Sequence, residues 1–380
     1  MALGGCCTFE TGDLAELYAT AGLCVVQQDV VRSGDYAGRI TPVSNGLAYL
    51  VLGQYDSSGR NGSQTPLSEV WVGLGCYWAA RPAASDEECL AVLDASEDQK
   101  LALRIRADGR LAVYDSTGTS LGVGATLLQT GRWYWLELLC GTGTNADYAL
   151  RINGVTELSG QGHMGTGGAT LIVIGKSVDR NGEGYDLYVD DIVTDSADWP
   201  GDCRGCRMDP DGDGHYTDWA GDYTDVDDVP HNADTDYITA SVAGAAETVT
   251  LEHPTAAGVL GVARALKLVA VVRRGFAAST LKTRLRSGGI DLDGDELPSA
   301  AWTLTYVAVQ QMYSTDPATS AGWTLAGLAG AEVGLVLTAN AMARCTLLCA
   351  IVIWSPSPSP AEGMRGMRDS IGLRQIGVGL

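Results

Sequence analysis

Leu101-Ala102-Leu103-Arg104-Ile105-Arg106, the turn Ala107-Asp108-Gly109 and then Leu111-Ala112-Val113-Tyr114 read as a strand, a tight turn and a second strand. Leu101, Leu103 and Ile105 fall on one face of a period-two pattern, which leaves one face buried and one wet. Trp133-Tyr134-Trp135-Leu136-Glu137-Leu138 carries the same period. Working outward, short apolar runs recur at residues 47–52, 70–74, 148–152, 170–174 and 186–193. Gly, Asn, Asp and Ser punctuate them, as in the turn Asn153-Gly154. Many short strands at such spacing predict a β-sandwich over residues 1–200.

Composition agrees. The 380 residues include 49 Gly but only 2 Phe, and 46% are hydrophobic, which is too apolar for disorder and too turn-rich for a helical bundle. The formal net charge is −21. Residues 1–236 carry 36 acidic against 14 basic side chains, whereas residues 237–380 carry 10 against 11. A surface of that sign repels nucleic acid, so no nucleic-acid partner is expected. The longest apolar run, Cys345-Thr346-Leu347-Leu348-Cys349-Ala350-Ile351-Val352-Ile353-Trp354, is about half of what a bilayer span needs and reads as a buried strand. No membrane partner is expected. The first residues lack a basic and an apolar segment of the signal-peptide kind, although Leu3-Gly4-Gly5-Cys6 has a superficial lipoprotein-box look, and synthesis in a cytoplasm is expected. The ten cysteines then read mostly as small buried hydrophobes. Cys203-x-x-Cys206 alone has metal-like spacing, and whether that pair forms a disulfide stays open.

Residues 201–236 differ from what precedes them. The stretch 208–236 holds ten aspartates, no Lys or Arg and two prolines, which predicts an acidic linker or ion-binding loop with no packed element. Strand signals resume over residues 237–355 at 247–251, 266–272, 281–286, 302–309, 332–337 and 346–354, enough for a second, smaller β-sandwich. Residues 256–266 are the best helical candidate, weakened by Gly258 and Gly261. Residues 356–380 read as a Ser/Pro spacer and an extended C-terminal arm containing Met364-Arg365 and Met367-Arg368. The fold class is therefore all-β, two sandwiches joined by an Asp-rich linker.

Thr8-Phe9-Glu10-Thr11-Gly12-Asp13 followed by Val31-Arg32-Ser33-Gly34-Asp35-Tyr36-Ala37 resembles the opening of a concanavalin A-like or carbohydrate-binding-module jelly roll. Gly131-Arg132-Trp133-Tyr134-Trp135-Leu136-Glu137, Leu150-Arg151-Ile152-Asn153-Gly154-Val155 and Tyr188-Val189-Asp190-Asp191-Ile192 continue that pattern in order. The second domain carries Arg284-Leu285-Arg286-Ser287-Gly288-Gly289, Asp316-Pro317-Ala318-Thr319, Trp323-Thr324-Leu325 and Glu332-Val333-Gly334, and is similar to the C-terminal domain of structural proteins of tailed-bacteriophage virions. The resemblance implies two jelly-roll-like domains in an exterior virion protein, a capsid decoration, head fibre or tail-associated part. It implies a homo-oligomer, a trimer by the same likeness, with other virion proteins and a host-surface glycan as partners. It also implies a structural Ca²⁺ held by Glu10, the backbone at Ser33 and Gly34, and Asp191. Exposed acids over a core of Phe9 and Ile192 are the plainer reading of those positions.

Asp209-x-Asp211-x-Asp213-Gly214 is the first half of an EF-hand-type loop, with Asp218 as a later acid, but position twelve is Ala220 where a bidentate Glu is needed. Calcium and a solvated acidic linker both remain open there. Asp291-x-Asp293-Gly294-Asp295-Glu296 reads as a solvated hairpin tip. Of the aromatics, Trp71, Trp133 and Trp135 are expected in the core, while Trp199, Trp219 and Tyr223 are the candidate sugar-stacking residues. Arg273, Arg274, Arg284 and Arg286, with Met364, Arg365 and Arg368 of the arm, are candidate interface residues. The four arginines are expected to pair with an acidic neighbour such as the Asp-rich segment of an adjacent copy. There is no Glu-x-Asp-x-x-Glu strand, His-Glu-x-x-His or Gly-x-x-x-x-Gly-Lys, so no catalytic residue is assigned and a non-enzyme is expected. Glycan binding is the first alternative function and glycan hydrolysis the second.

Overall fold

A computed structural model describes residues 3–55, 61–63, 66–178, 182–275, 279–297, 304–339 and 342–357. The opening motif is a hairpin as read: Gln99–Ile105 pairs antiparallel with Leu111–Asp115, Leu111 opposite Ile105 and Tyr114 opposite Ala102. It belongs to one of two eight-stranded antiparallel sheets that form the first sandwich. The sheet containing it, called here the open sheet, runs Ser120–Val123, Leu111–Asp115, Gln99–Ile105, Glu87–Leu93, Leu171–Lys176, Ala48–Tyr55, Ala19–Ala21, with Asn61–Ser63 beside Ala48–Tyr55. The facing sheet, called the junction sheet, runs Val155–Gly162, Ala146–Ile152, Trp133–Gly141, Glu69–Ala80, Asp186–Asp195, Ala37–Ile40, Cys24–Gln27, with Leu3–Cys7 on Asp186–Asp195. Alternate residues of both sheets, among them Leu50, Leu52, Leu74, Trp78, Leu101 and Leu103, meet in the core. Each such aliphatic side chain contributes about 1.5–3 kcal/mol by burial.

The second sandwich packs a sheet ordered Arg204–Met208, Ala343–Pro356, Gly261–Arg274, Val307–Tyr313, with Ile238–Ala240 beside Ala343–Pro356, onto a sheet ordered Pro210–Thr217, Ala246–Leu251, Ala331–Leu337, Leu281–Ser287, Ile290–Asp293. The long apolar run at 345–354 is explained by its place. Leu348, Ala350 and Val352 enter the second core, while Leu347, Cys349, Ile351 and Ile353 enter a separate cluster with Cys6, Trp135 and Val193 of the first domain. A strand buried on both faces needs no polar alternation. The two sandwiches thus share a hydrophobic layer.

Two expectations fail. Residues 201–236 are not a linker without packed elements: Arg204–Met208 and Pro210–Thr217 are strands of the second sandwich, which therefore begins well before residue 237. The acids had masked an edge strand whose exposure alternates, with Asp211, Asp213 and His215 outward and Gly212 and Gly214 between them. Residues 256–266 form turns and the start of Gly261–Arg274, since Gly258 sits at φ +95° and the strand pairs with Ala343–Pro356. The short helix in the described residues lies instead at Leu325–Ala329, capped by the Thr324 side chain. The arm from residue 358 lies outside the described residues.

Candidate functional site

The residues Glu10, Ser33, Gly34 and Asp191 do come together, at the edge of the shared layer. A β-bulge between Asp190 and Val193 puts Asp191 at φ +52° and leaves both aspartates buried. Glu10 accepts the Asp35 N–H at 3.0 Å and the Tyr36 N–H at 3.1 Å. Gly34 sits at φ +64°, and a Cβ there would meet a Glu10 carboxylate oxygen at 2.2 Å, so only glycine lets the loop close over Glu10. Asp190 accepts the N–H groups of Arg32 and Ser33 at 3.0 and 3.2 Å. Asp191 takes the Ser33 hydroxyl at 2.5 Å, the Gly205 N–H at 2.7 Å and the Arg32 guanidinium, which also reaches Asp202 and the Cys203 carbonyl. Burial pushes the Glu10 carboxyl up to about 8. Burial, with the charge of Asp191 beside it, holds Asp190 well above the usual carboxylate range.

Calcium takes oxygen ligands. The donors turned onto Glu10 and Asp191 are N–H groups, a hydroxyl and a guanidinium, so the set as arranged does not fit that ion. Among the described residues no group of three or more His, Cys, Asp or Glu is disposed to hold a metal. The positive charge comes from protein: Arg32 lies on Asp191 and stacks 4.7 Å from the Trp135 ring, and Arg207 donates to the Glu10 carbonyl at 2.7 Å. Gly205 and Arg207 belong to the second sandwich, so these contacts bind the domains together. A second buried pair, Lys267 with Glu16, does the same, and Lys267 also reaches the Cys6 carbonyl at 3.4 Å.

The other acids are dispersed. Asp209 pairs with Arg207 at 2.5 Å, Asp211 accepts the Thr250 hydroxyl at 2.6 Å, Asp213 accepts the Tyr223 N–H at 3.0 Å and Asp218 accepts the Ala246 N–H at 3.1 Å. An extended strand sets alternate residues about 6.5–7 Å apart, too far to converge on one ion as a looped EF-hand does. The arginines find partners inside the chain. Arg273 pairs with Asp234, within the Asp-rich stretch, while Arg284 pairs with Asp293 and Arg286 with Asp291, each at 2.6 Å. Arg274 ends the strand Gly261–Arg274; Met364, Arg365 and Arg368 lie outside the described residues.

Of the proposed stacking residues, Trp219 is buried in the second core with its indole N–H on the Ala245 carbonyl at 3.3 Å, and Tyr223 packs against that core. Trp199 carries the Arg151 guanidinium 3.8 Å over its ring. Trp135 fills the shared layer and not the first core. All ten cysteines are free thiols; Cys203 faces the shared layer and Cys206 the second core, and burial pushes both up to about 12. Gly118-Thr119-Ser120-Leu121-Gly122 has the spacing of a nucleophile elbow. Here it spans a hairpin turn and the edge strand Ser120–Val123, without the strand-to-helix turn that such chemistry requires.

The open sheet holds what the sequence did not single out. Its outward residues Val51, Leu171 and Val173 form a small apolar cluster with Ala91 and Ala102, and a cavity of about 240 Å³ lies against it. Tyr18 and Tyr49 flank the cavity, and Glu97, Gln99 and Ser177 add polar groups. Tyr18 is 48% exposed. Farther along the same face Arg104 stacks 3.8 Å over Tyr114. The strand Gln99–Ile105 already placed Ala102 and Arg104 outward by period; Tyr18 and Tyr49 come from distant strands and had no such signal.

No family model matches the chain, and no curated protein matches it. Among solved structures, a cellulose-induced protein, Cip1, aligns at 13% identity and TM-score 0.37 over 49% of this chain and 90% of its own. An endo-β-1,4-glucuronan lyase from the fungus Trichoderma reesei aligns at 10% and 0.36, over 51% of this chain and 94% of its own. A carbohydrate esterase from Shiga toxin-encoding bacteriophage phi24B aligns at 13% and 0.36, over 50% and 96%. Likeness of this order bears on neither activity nor ligand.

Proposed function

We propose that the chain is a non-catalytic glycan-binding protein whose first sandwich contacts carbohydrate through the hollow of the open sheet, while the second sandwich fixes that module in place. The observation that carries this reading is the hollow itself. An apolar floor of Val51, Leu171 and Val173, tyrosines at the side and a few polar groups make the usual composition of a small-ligand site. Tyrosine offers an apolar face for the C–H side of a sugar ring and a hydroxyl for its edge. The floor is hydrocarbon, and the polar groups, Glu97, Gln99 and Ser177, lie around it. The motif order of the second domain adds the setting: an exterior subunit of a tailed-phage particle, assembled as a homo-oligomer.

The test is binding to a panel of soluble polysaccharides by affinity electrophoresis, comparing the native chain with Ala19→Trp. Ala19 is exposed and lies opposite Val51, so an indole there fills the hollow without entering the core. Retardation by at least one polysaccharide that disappears in the variant is expected. Binding indifferent to the substitution, or none, would refute the reading.

A further inference from the structure

We infer that the hollow of the open sheet takes neutral glycan chains and excludes uronate- or sialate-bearing ones. This rests on the glycan-binding reading and adds the ligand's charge class. A site for an anionic polymer needs a cation left over for the ligand, since carboxylates are recognised by guanidinium or ammonium donors. The residues lining the hollow include no Lys or Arg, and the acidic side chain among them is the exposed Glu97.

Among the described residues, the cations nearest the lining in sequence are already committed: Lys176, beside the lining Ser177, is buried on Glu87 at 3.2 Å. Lys100, one residue beyond the lining Gln99, is buried between Asp94 at 2.7 Å and the Thr166 carbonyl at 2.7 Å. Arg104 lies on Tyr114, and Arg106 is shared between Asp86 and Asp108 at 3.4 Å. Residues 1–200 as a whole carry 25 acidic against 12 basic side chains, so the long-range field has the same sign as the local one. A neutral chain meets none of this, and its hydroxyls can donate to the Gln99 amide oxygen and the Ser177 oxygen, whose own donors lie on the Asp115 carbonyl and the Glu88 carboxylate. A polyanion would bring each carboxylate toward Glu97 with no compensating charge.

The experiment measures binding to neutral polysaccharides (β-glucan, xylan, arabinan, galactomannan) and to anionic ones (alginate, polygalacturonate, polysialic acid) at low and moderate salt. The native chain is compared with Glu97→Lys and Ala19→Trp. The inference expects a neutral polymer to bind and anionic ones to bind at least about tenfold more weakly. Glu97→Lys should raise anionic binding by about fivefold or more at low salt, an effect that salt erases, as for charges a few ångströms apart in water. Anionic binding as strong as neutral binding, abolished by Ala19→Trp, overturns the inference and leaves the glycan-binding reading standing. No binding to either class, or binding that survives Ala19→Trp, removes the reading and the inference with it.

Discussion

On the junction sheet, Trp135 and Val193 point outward into a layer of Val269, Leu347, Ile351 and Ile353 from the second domain, whereas on the open sheet Val51, Leu171 and Val173 point outward into a hollow of about 240 Å³. Both sheets obey the same alternation and share one core. They differ in what accompanies the outward hydrocarbons. The junction side adds ions that are buried and mutually paired, Arg32 with Asp191 and Lys267 with Glu16, which hold the domains in one register. The open side adds tyrosines and solvated polar groups, which suit an exchanging ligand. One face of a sandwich can serve as a permanent joint while the other stays free, without any change in the strands between them.

The largest effect expected from breaking this contrast is at the buried pair. Lys267→Met leaves Glu16 buried without its counter-charge and should cost about 3–5 kcal/mol in urea unfolding, with both domains melting in one transition. A loss below about 1 kcal/mol, or two separated transitions, would mean that the junction is not a cooperative joint. A matched pair of truncations sharpens the same point. Val269→Ala, under the second domain, should cost about 2–3 kcal/mol, and Val51→Ala, beside the hollow, about 1. Equal costs would erase the distinction.

Glu10 gives the next effect, and its sign follows from burial. Its folded value of about 8 lies above the ordinary 4.5, so its stabilising contribution is complete below pH 4.5 and is lost as pH rises toward 8. Glu10→Gln should flatten a decline in stability approaching about 1.4 kcal/mol per pH unit across that window. An unchanged slope would place Glu10's charge elsewhere in the balance. The smallest effect is expected from EGTA or added calcium: because Arg32 and Arg207 supply the charge, the melting temperature should not move. A calcium-dependent rise would show that the Glu10–Asp191 node rearranges to admit the ion.

The all-β class was legible because period-two runs such as Leu101–Ile105 state which face is buried without reference to the rest of the chain. The meeting of Glu10, Ser33, Gly34 and Asp191 was legible in the jelly-roll likeness, but its chemistry was not, since Arg32 looks like any surface arginine until the strand bearing Gly205 is laid against it. The aspartates at 209–213 misled for the opposite reason. Alternation with glycine reads as a loop, yet the pairing of Pro210–Thr217 with Ala246–Leu251 made it an edge strand. Val51, Leu171, Tyr18 and Tyr49 converge only through pairing of strands distant in sequence, which no local pattern announces.

The most direct measurement is hydrogen exchange of the full chain with and without a polysaccharide that it binds. The account predicts the slowest exchange in Gly261–Arg274 and Ala343–Pro356, unchanged by ligand. It predicts ligand-induced protection confined to Ala19–Ala21, Ala48–Tyr55, Leu171–Lys176 and the Glu97 turn. Ligand-induced protection along the junction strands, with none around the hollow, would contradict it.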